Sequence, residues 1–196
     1  MKKIEIIWRE LLYQAIEKGH RQFTQKGLAE KFNFSTSTVF QALKTPRKMG
    51  AVRVTGRFFV LEDPEKLLYH WASIRDLEGD VIFSTRVELP VLEIEGRMPP
   101  DATFGGYSSA GQQLAEPPAD YDKVYVYSQN LETIKGRFGF QKGRENLIVL
   151  KPDEFLTDYG QTTTLAQAFV DLWNLPEWYA REFTSALKKK IDELLS

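Results

Sequence analysis

Nine side chains between residues 35 and 57 have the types and the spacing to read a nucleic-acid duplex: Ser35, Thr36, Ser37, Gln41, Lys44, Arg47, Lys48, Arg53 and Arg57. Hydroxyls and an amide can meet base edges in a major groove, and lysine and arginine can hold phosphates. On a helix advancing about 100° per residue, Val39, Ala42 and Leu43 share one face. Ser37, Gln41 and Lys44 then point the opposite way, with Thr36 and Phe40 on the flank. From His20 to Arg57 the basic residues are Arg21, Lys26, Lys31, Lys44, Arg47, Lys48, Arg53 and Arg57, against the single acid Glu30. That is the electrostatic footprint of a partner built from phosphates, such as double-stranded DNA; an ordinary solvated basic face is the plainer alternative.

Such groups need a frame that turns them outward. The stretch 23–60 predicts helix, turn, helix and hairpin, the layout of a winged helix-turn-helix. Thr24 can cap a helix carrying Leu28, Ala29 and Phe32, and after a break at Asn33 and Phe34, Ser35 can cap the next. Pro46 biases Thr45 away from helix, so the recognition helix 35–45 should stop or kink there. Thr55 and Gly56 separate two β-branched and aromatic runs, which predicts a wing over 52–60 with Arg53 and Arg57 at its tip. Ahead of this module, Ile4, Ile7, Trp8, Leu11, Leu12, Ala15 and Ile16 mark a helix over about 4–18, ended by Gly19. Behind it, Asp63 and Pro64 open a helix to about residue 75. Its Leu67, Leu68, Trp71 and Ile74, with Tyr69 and Ala72 beside them, cover more than one stripe. Such a helix buries against two neighbours in its own chain, or pairs with a second copy in a homodimer. His70 lies on it and reads as structural.

Charge divides the chain in the same place. The net charge is −1, but residues 1–75 sum to about +7 and residues 76–196 to about −8. Asp76 to Asp80 is the expected boundary between a DNA-binding domain with linking helix, 1–76, and an α/β domain that binds an effector or partner, 80–196, in an α+β protein. The acidic half suits either a cationic partner or simple solubility. Cysteine is absent, and with only His20 and His70 available a zinc site would have to rely on carboxylates, so no metal site is expected; no P-loop, GxGxxG or HExxH motif appears, and no cofactor is expected. No apolar run approaches the roughly 20 residues needed to cross a bilayer, and the expected location is cytoplasmic, with no membrane partner.

In the second half, strands are predicted over 81–87, 123–128 and 146–151, a short helix or extended piece over 90–97, and a helix over about 107–114. Between the last two strands, Lys135, Arg137, Phe138, Phe140, Lys142 and Arg144 predict a hairpin at the sheet edge or a second phosphate contact. Helices over 162–173 and 177–195 follow, broken at Pro176, and the last has Trp178, Phe183, Leu187, Ile191 and Leu194 on or near one face. Asp171 sits among apolar residues and needs a hydrogen-bonding partner if buried, an arginine or a backbone group.

Two catalytic patterns can be tried. Gly106 to Ala110 has the form of a nucleophile elbow, but both histidines lie upstream of it. Gly105 and Gly106, with Asp120 and Asp122 two apart ahead of a strand, have the form of a nucleotidyltransferase that binds magnesium, with Asp153 as a third acid; a turn made of proline and aspartate is the alternative. A protein-interaction adaptor is a further reading, because winged helices also bind proteins.

The winged module, the linking helix, the stretch FGGYSSAGQQL and the stretch TLAQAFVDLWNLPEWYAREFTSAL together resemble regulators of the AbiEi type. These are the antitoxin side of a bacterial and archaeal toxin-antitoxin family. The closest motif matches are Tyr107 with Ser108, and the stretch from Gln167 to Trp173. The resemblance implies a transcriptional repressor without catalytic activity, binding operator DNA through its winged helix, and a carboxy-terminal domain that acts with a partner toxin, itself a nucleotidyltransferase.

Overall fold

Helix α1 (Lys3–Glu17) is the axis of the molecule. Its apolar periodicity predicts one buried stripe, but every residue from Glu5 to Leu12 is buried, so the helix is covered all round. The charges this encloses are paired. Arg9 makes a two-pronged ion pair with Asp153, each contact 2.7 Å. Glu10 accepts from Lys31 at 2.5 Å and from the Tyr159 hydroxyl at 2.7 Å. Glu5 accepts from the Trp71 indole at 3.0 Å. Three charged residues that look solvent-facing in the sequence are therefore tied to elements far along the chain.

The computed structural model describes residues 1–196, an α+β protein of nine helices and two small sheets. After α1, strand β1 (Gln22–Phe23) leads into α2 (Gln25–Lys31), then α3 (Thr36–Lys48), β2 (Val52–Thr55) and β3 (Phe58–Leu61), and the strands pair antiparallel in the order β1-β3-β2. The predicted caps are present: the Thr24 hydroxyl accepts from the Gly27 amide at 2.9 Å and the Ser35 hydroxyl from the Thr38 amide at 3.1 Å. Asn33, with φ +50°, makes the turn between α2 and α3, a left-handed conformation that asparagine tolerates. Gly56, at φ +57°, makes the hairpin turn.

Pro46 does not end α3, which continues to Lys48. A proline has no N–H to donate to the carbonyl four residues back, here that of Ala42. The Trp8 indole of α1 donates to that carbonyl instead, at 2.7 Å, and so makes the bond the proline omits.

Helix α4 (Pro64–Ile74), capped by Asp63, buries Leu67, Leu68, Trp71 and Ala72 against α1 and α8 (Leu165–Trp173). Most of its broad apolar surface is thus consumed within the chain, while Ile74 stays exposed and Tyr69 half-buried. The second sheet contains β4 (Val81–Thr85), β5 (Thr103–Gly105), β6 (Val124–Tyr127) and β7 (Leu147–Leu150) in the order β4-β7-β6-β5, with only β6 and β7 parallel. Parallel neighbours need a crossover. Hence the first part of the basic segment predicted as a hairpin is a helix, α7 (Leu131–Phe138), capped by Asn130 and anchored by Ile134, and Phe140, Lys142 and Arg144 follow in the loop before β7. Both central strands are buried on both faces. Tyr125, Tyr127, Ile148 and Leu150 face α1, α8, α6 (Gly106–Gln113) and α9 (Ala180–Leu195), while Val124, Val126, Leu147 and Val149 face α7 and α5 (Val91–Gly96). Phe183, Leu187 and Ile191 of α9 are buried, but Trp178 precedes the helix and is 73% exposed, and Leu194 is also exposed, so neither docks as predicted.

One apolar core runs from α1 to α9 across residues 76–80. At that crossing Arg75, 1% exposed, donates to Asp171 at 3.0 Å, to Asp80 at 2.6 Å and to the Tyr127 hydroxyl at 3.2 Å, with Glu5 at 3.8 Å. The Tyr127 hydroxyl donates in turn to the other Asp171 oxygen, at 2.5 Å. Asp171 thus has the arginine partner its surroundings demand.

Arg75→Met leaves buried acids without their cation, and urea unfolding is expected to show a loss of about 3–5 kcal/mol. Trp8→Phe strands the Ala42 carbonyl and is expected to cost about 1–3 kcal/mol. Adding Pro46→Ala restores a donor and should recover part of that loss; no recovery in the double variant would mean that the indole does not stand in for the missing N–H.

Candidate nucleic-acid interface

The nine predicted groups are all exposed. Their frame is rigid because its inner surfaces are filled. Val39, Ala42, Leu43 and Pro46 of α3 are buried, with α1 and α2 as neighbours. Phe32 and Phe34, on either side of the Asn33 turn, stack on each other and meet Phe155 of the second half edge-on, with ring centroids 4.9 and 5.8 Å away. Ser37, Gln41 and Lys44 consequently face solvent on one side of α3, and Arg47 and Lys48 continue that side through its last turn. Cations there also complement the carbonyl end of the helix dipole.

The basic residues of this module do not contribute equally. Lys31 is drawn to Glu10, and Arg21 donates to the Leu195 carbonyl at 3.0 Å. Lys26 meets Glu30 only at 3.6 Å with both side chains largely solvated, a pairing worth little. Arg53, predicted at the wing tip, is held across the sheet by Glu62, with its Nε 2.7 Å from the carboxylate. The acid that neutralises it lies just beyond the stretch whose charge marks the module. Lys44, Arg47, Lys48 and Arg57 have no ion-pair or hydrogen-bond partner anywhere in the chain, so their charge is free for an external ligand. Arg57 also lines, with Gln25, Lys26, Val54 and Phe58, a groove of about 170 Å³ between the start of α2 and the hairpin. Lys26, absent from the predicted set, therefore lies beside the wing arginine.

Elsewhere the predicted chemistry meets packed structure. Asp120 and Asp122 are exposed in the loop ahead of β6, not on the strand, and Asp122 accepts from the Tyr179 hydroxyl and lies 3.7 Å from Arg144. Asp153 is committed to Arg9. A Cβ at Gly105 would come within 2.8 Å of the Tyr127 ring, and one at Gly106 within 3.2 Å of Tyr125, so the side of this turn where side chains would stand is pressed against tyrosines. No three Asp, Glu or His side chains converge as a metal site requires. Ser108 and Ser109 of the elbow pattern are buried, and Tyr107 beside them donates to Glu177 at 3.1 Å, its ionisation pushed well up by burial. His70 lies edge-on to Trp8 at 5.1 Å, and burial holds its imidazole below the ordinary value.

In the basic segment, Lys135 pairs with Glu132, Arg137 donates to the Arg97 carbonyl and Arg144 lies near Asp122. Helix α7, which carries the first two, covers the sheet face turned away from α1. No helix in the chain is long and apolar enough to cross a membrane. No family model matches the chain, and comparison with curated proteins and with solved structures finds no significantly similar protein.

Proposed function

We propose that the chain is a duplex-DNA-binding transcriptional regulator without catalytic activity, acting in the cytoplasm. On this reading residues 22–61 form a winged helix-turn-helix, with α3 as the recognition helix and β2-β3 as the wing. The observation that carries it is the sorting of charge: four cations, Lys44, Arg47, Lys48 and Arg57, are left unpaired beside exposed Ser35, Thr36, Ser37 and Gln41, while most other cations of the module are drawn to partners. A helix enters a major groove with short polar and amide side chains toward the bases and cations toward the phosphates.

The likeness to AbiEi-type regulators suggests a repressor that serves as the antitoxin of a toxin-antitoxin pair, with residues 80–196 acting on a partner toxin. A homodimer on two-fold symmetric DNA fits the same role, with a contact surface other than the interior side of α4. The nucleotidyltransferase reading has less support, because its two acids lie in a loop and its glycine turn is packed on tyrosine rings.

Arg57→Gln should weaken binding on every duplex alike and reduce the salt slope of log K by about one. Gln41→Ala should instead relax sequence preference; equal losses on all sequences for both variants, measured by fluorescence anisotropy across a salt series, would contradict the division of labour. Glu62→Gln should release Arg53 and tighten binding while steepening the same slope, and unchanged affinity would place Arg53 outside the interface.

A further inference from the structure

Phe40 is a large apolar side chain on the flank of this polar surface. It is 45% exposed on α3, whereas Phe32 and Phe34 nearby are buried in mutual stacking with Phe155. At helical spacing its neighbours are Thr36 and Ser37 one turn before and Lys44 one turn after. The ring leaves nearly half of its area in water, area that a partner's apolar group can cover.

We propose that Phe40 is a specificity-determining residue that contacts the 5-methyl group of a thymine, an inference that rests on the duplex-DNA reading above. Of the four bases, only thymine presents an alkyl group in the major groove, and aromatic and small apolar side chains recognise it by contact. The surrounding surface argues for a nucleic-acid occupant. Lys44 follows Phe40 by one turn and the unpaired Arg47 and Lys48 continue the same helix, a density of free positive charge suited to a phosphate backbone. An apolar protein surface would have to bury those charges without compensation.

The test uses duplexes that the full-length protein selects from a random double-stranded library. In these, each thymine is replaced in turn by deoxyuridine, which removes the methyl and leaves base pairing and charge unchanged. At one position or more, the wild-type chain should bind the deoxyuridine duplex about fourfold more weakly, the value of one buried methyl-sized group. Phe40→Ala should lose a similar factor on the thymine duplex and show no further loss with deoxyuridine, while Phe40→Leu keeps part of the discrimination. Thermal unfolding of both variants reports their fold, and Phe40→Leu, the milder change at an exposed position, carries the attribution if Phe40→Ala fails to fold; a folded variant that discriminates as the wild type does overturns the assignment to Phe40. Equal wild-type affinity for the thymine and deoxyuridine forms of every selected duplex overturns the assignment but leaves DNA binding standing. Failure to enrich any duplex overturns the DNA reading itself, and this inference with it.

Discussion

The arrangement of this molecule depends on a guanidinium that cannot reach water. Arg75 stands at the carboxyl end of α4, where the helix dipole favours a cation, and three elements supply its acids: α8 gives Asp171, α1 gives Glu5, and the turn before β4 gives Asp80. The amino terminus of the chain joins the same cluster, 2.9 Å from Asp80. Burial pushes the Asp171 carboxyl up from its ordinary range, and Arg75 and the Tyr127 hydroxyl hold it down. A slip of α8 along α4 by one turn would leave at least one of these charges buried and alone, at a cost of several kcal/mol. Apolar packing is far more permissive about register than that, so the ion cluster selects one docking among several that hydrophobic burial would allow.

The same principle, applied to the remaining charges, produces an outward face. The buried charges Arg9 and Glu10 of α1 are satisfied inward or sideways, by Asp153, Lys31 and Tyr159. Glu62 occupies Arg53 on the hairpin. Between residues 35 and 57 the cations left unpaired, Lys44, Arg47, Lys48 and Arg57, lie on the outer side of α3 and at the hairpin tip. Because α3 is fixed from behind by packed apolar residues and by the Trp8 indole, the backbone from which its free cations and short polar side chains project is set before any ligand arrives. Preorganisation of this kind lowers the ordering cost of binding.

The parts of the fold legible in the sequence are those set by neighbours in the chain. The caps at Thr24 and Ser35, the turn at Gly56 and the exposure of Ser37, Gln41 and Lys44 follow from residues within one or two turns. The readings that failed depended on distant partners. Pro46 is tolerated because a tryptophan 34 residues upstream of Ala42 supplies the missing donor. The segment around Lys135 is helical because β6 and β7 run parallel, a fact of topology invisible to local periodicity. Arg53 looks like a free wing cation until the pairing of β2 with β3 sets it opposite Val60 and brings Glu62, two residues on, within reach of its guanidinium. Asp171 announced its need for a partner, but nothing in the sequence said that the partner would be Arg75.

The continuity of the core also limits how the two halves can communicate. Residues 76–80 are bounded by buried ion pairs, and apolar packing of α1 and α4 on α8 spans them, so the chain has no loose linker about which a basic module could swing away from an acidic one. On the proposed reading, a partner bound to the second half would act on α3 and the hairpin in one of two ways: by covering them, or by changing the electrostatic field in which they work. The second route is substantial here, because about +7 and −8 are held in separate parts of one body with almost no net charge. Such a body gains little from net attraction to a polyanion but is turned by its field, basic face foremost, within the screening length of the salt. A cationic partner that neutralised the acidic half would weaken this alignment and raise the overall attraction together, so the balance between orientation and affinity would depend on ionic strength even where no DNA contact had changed.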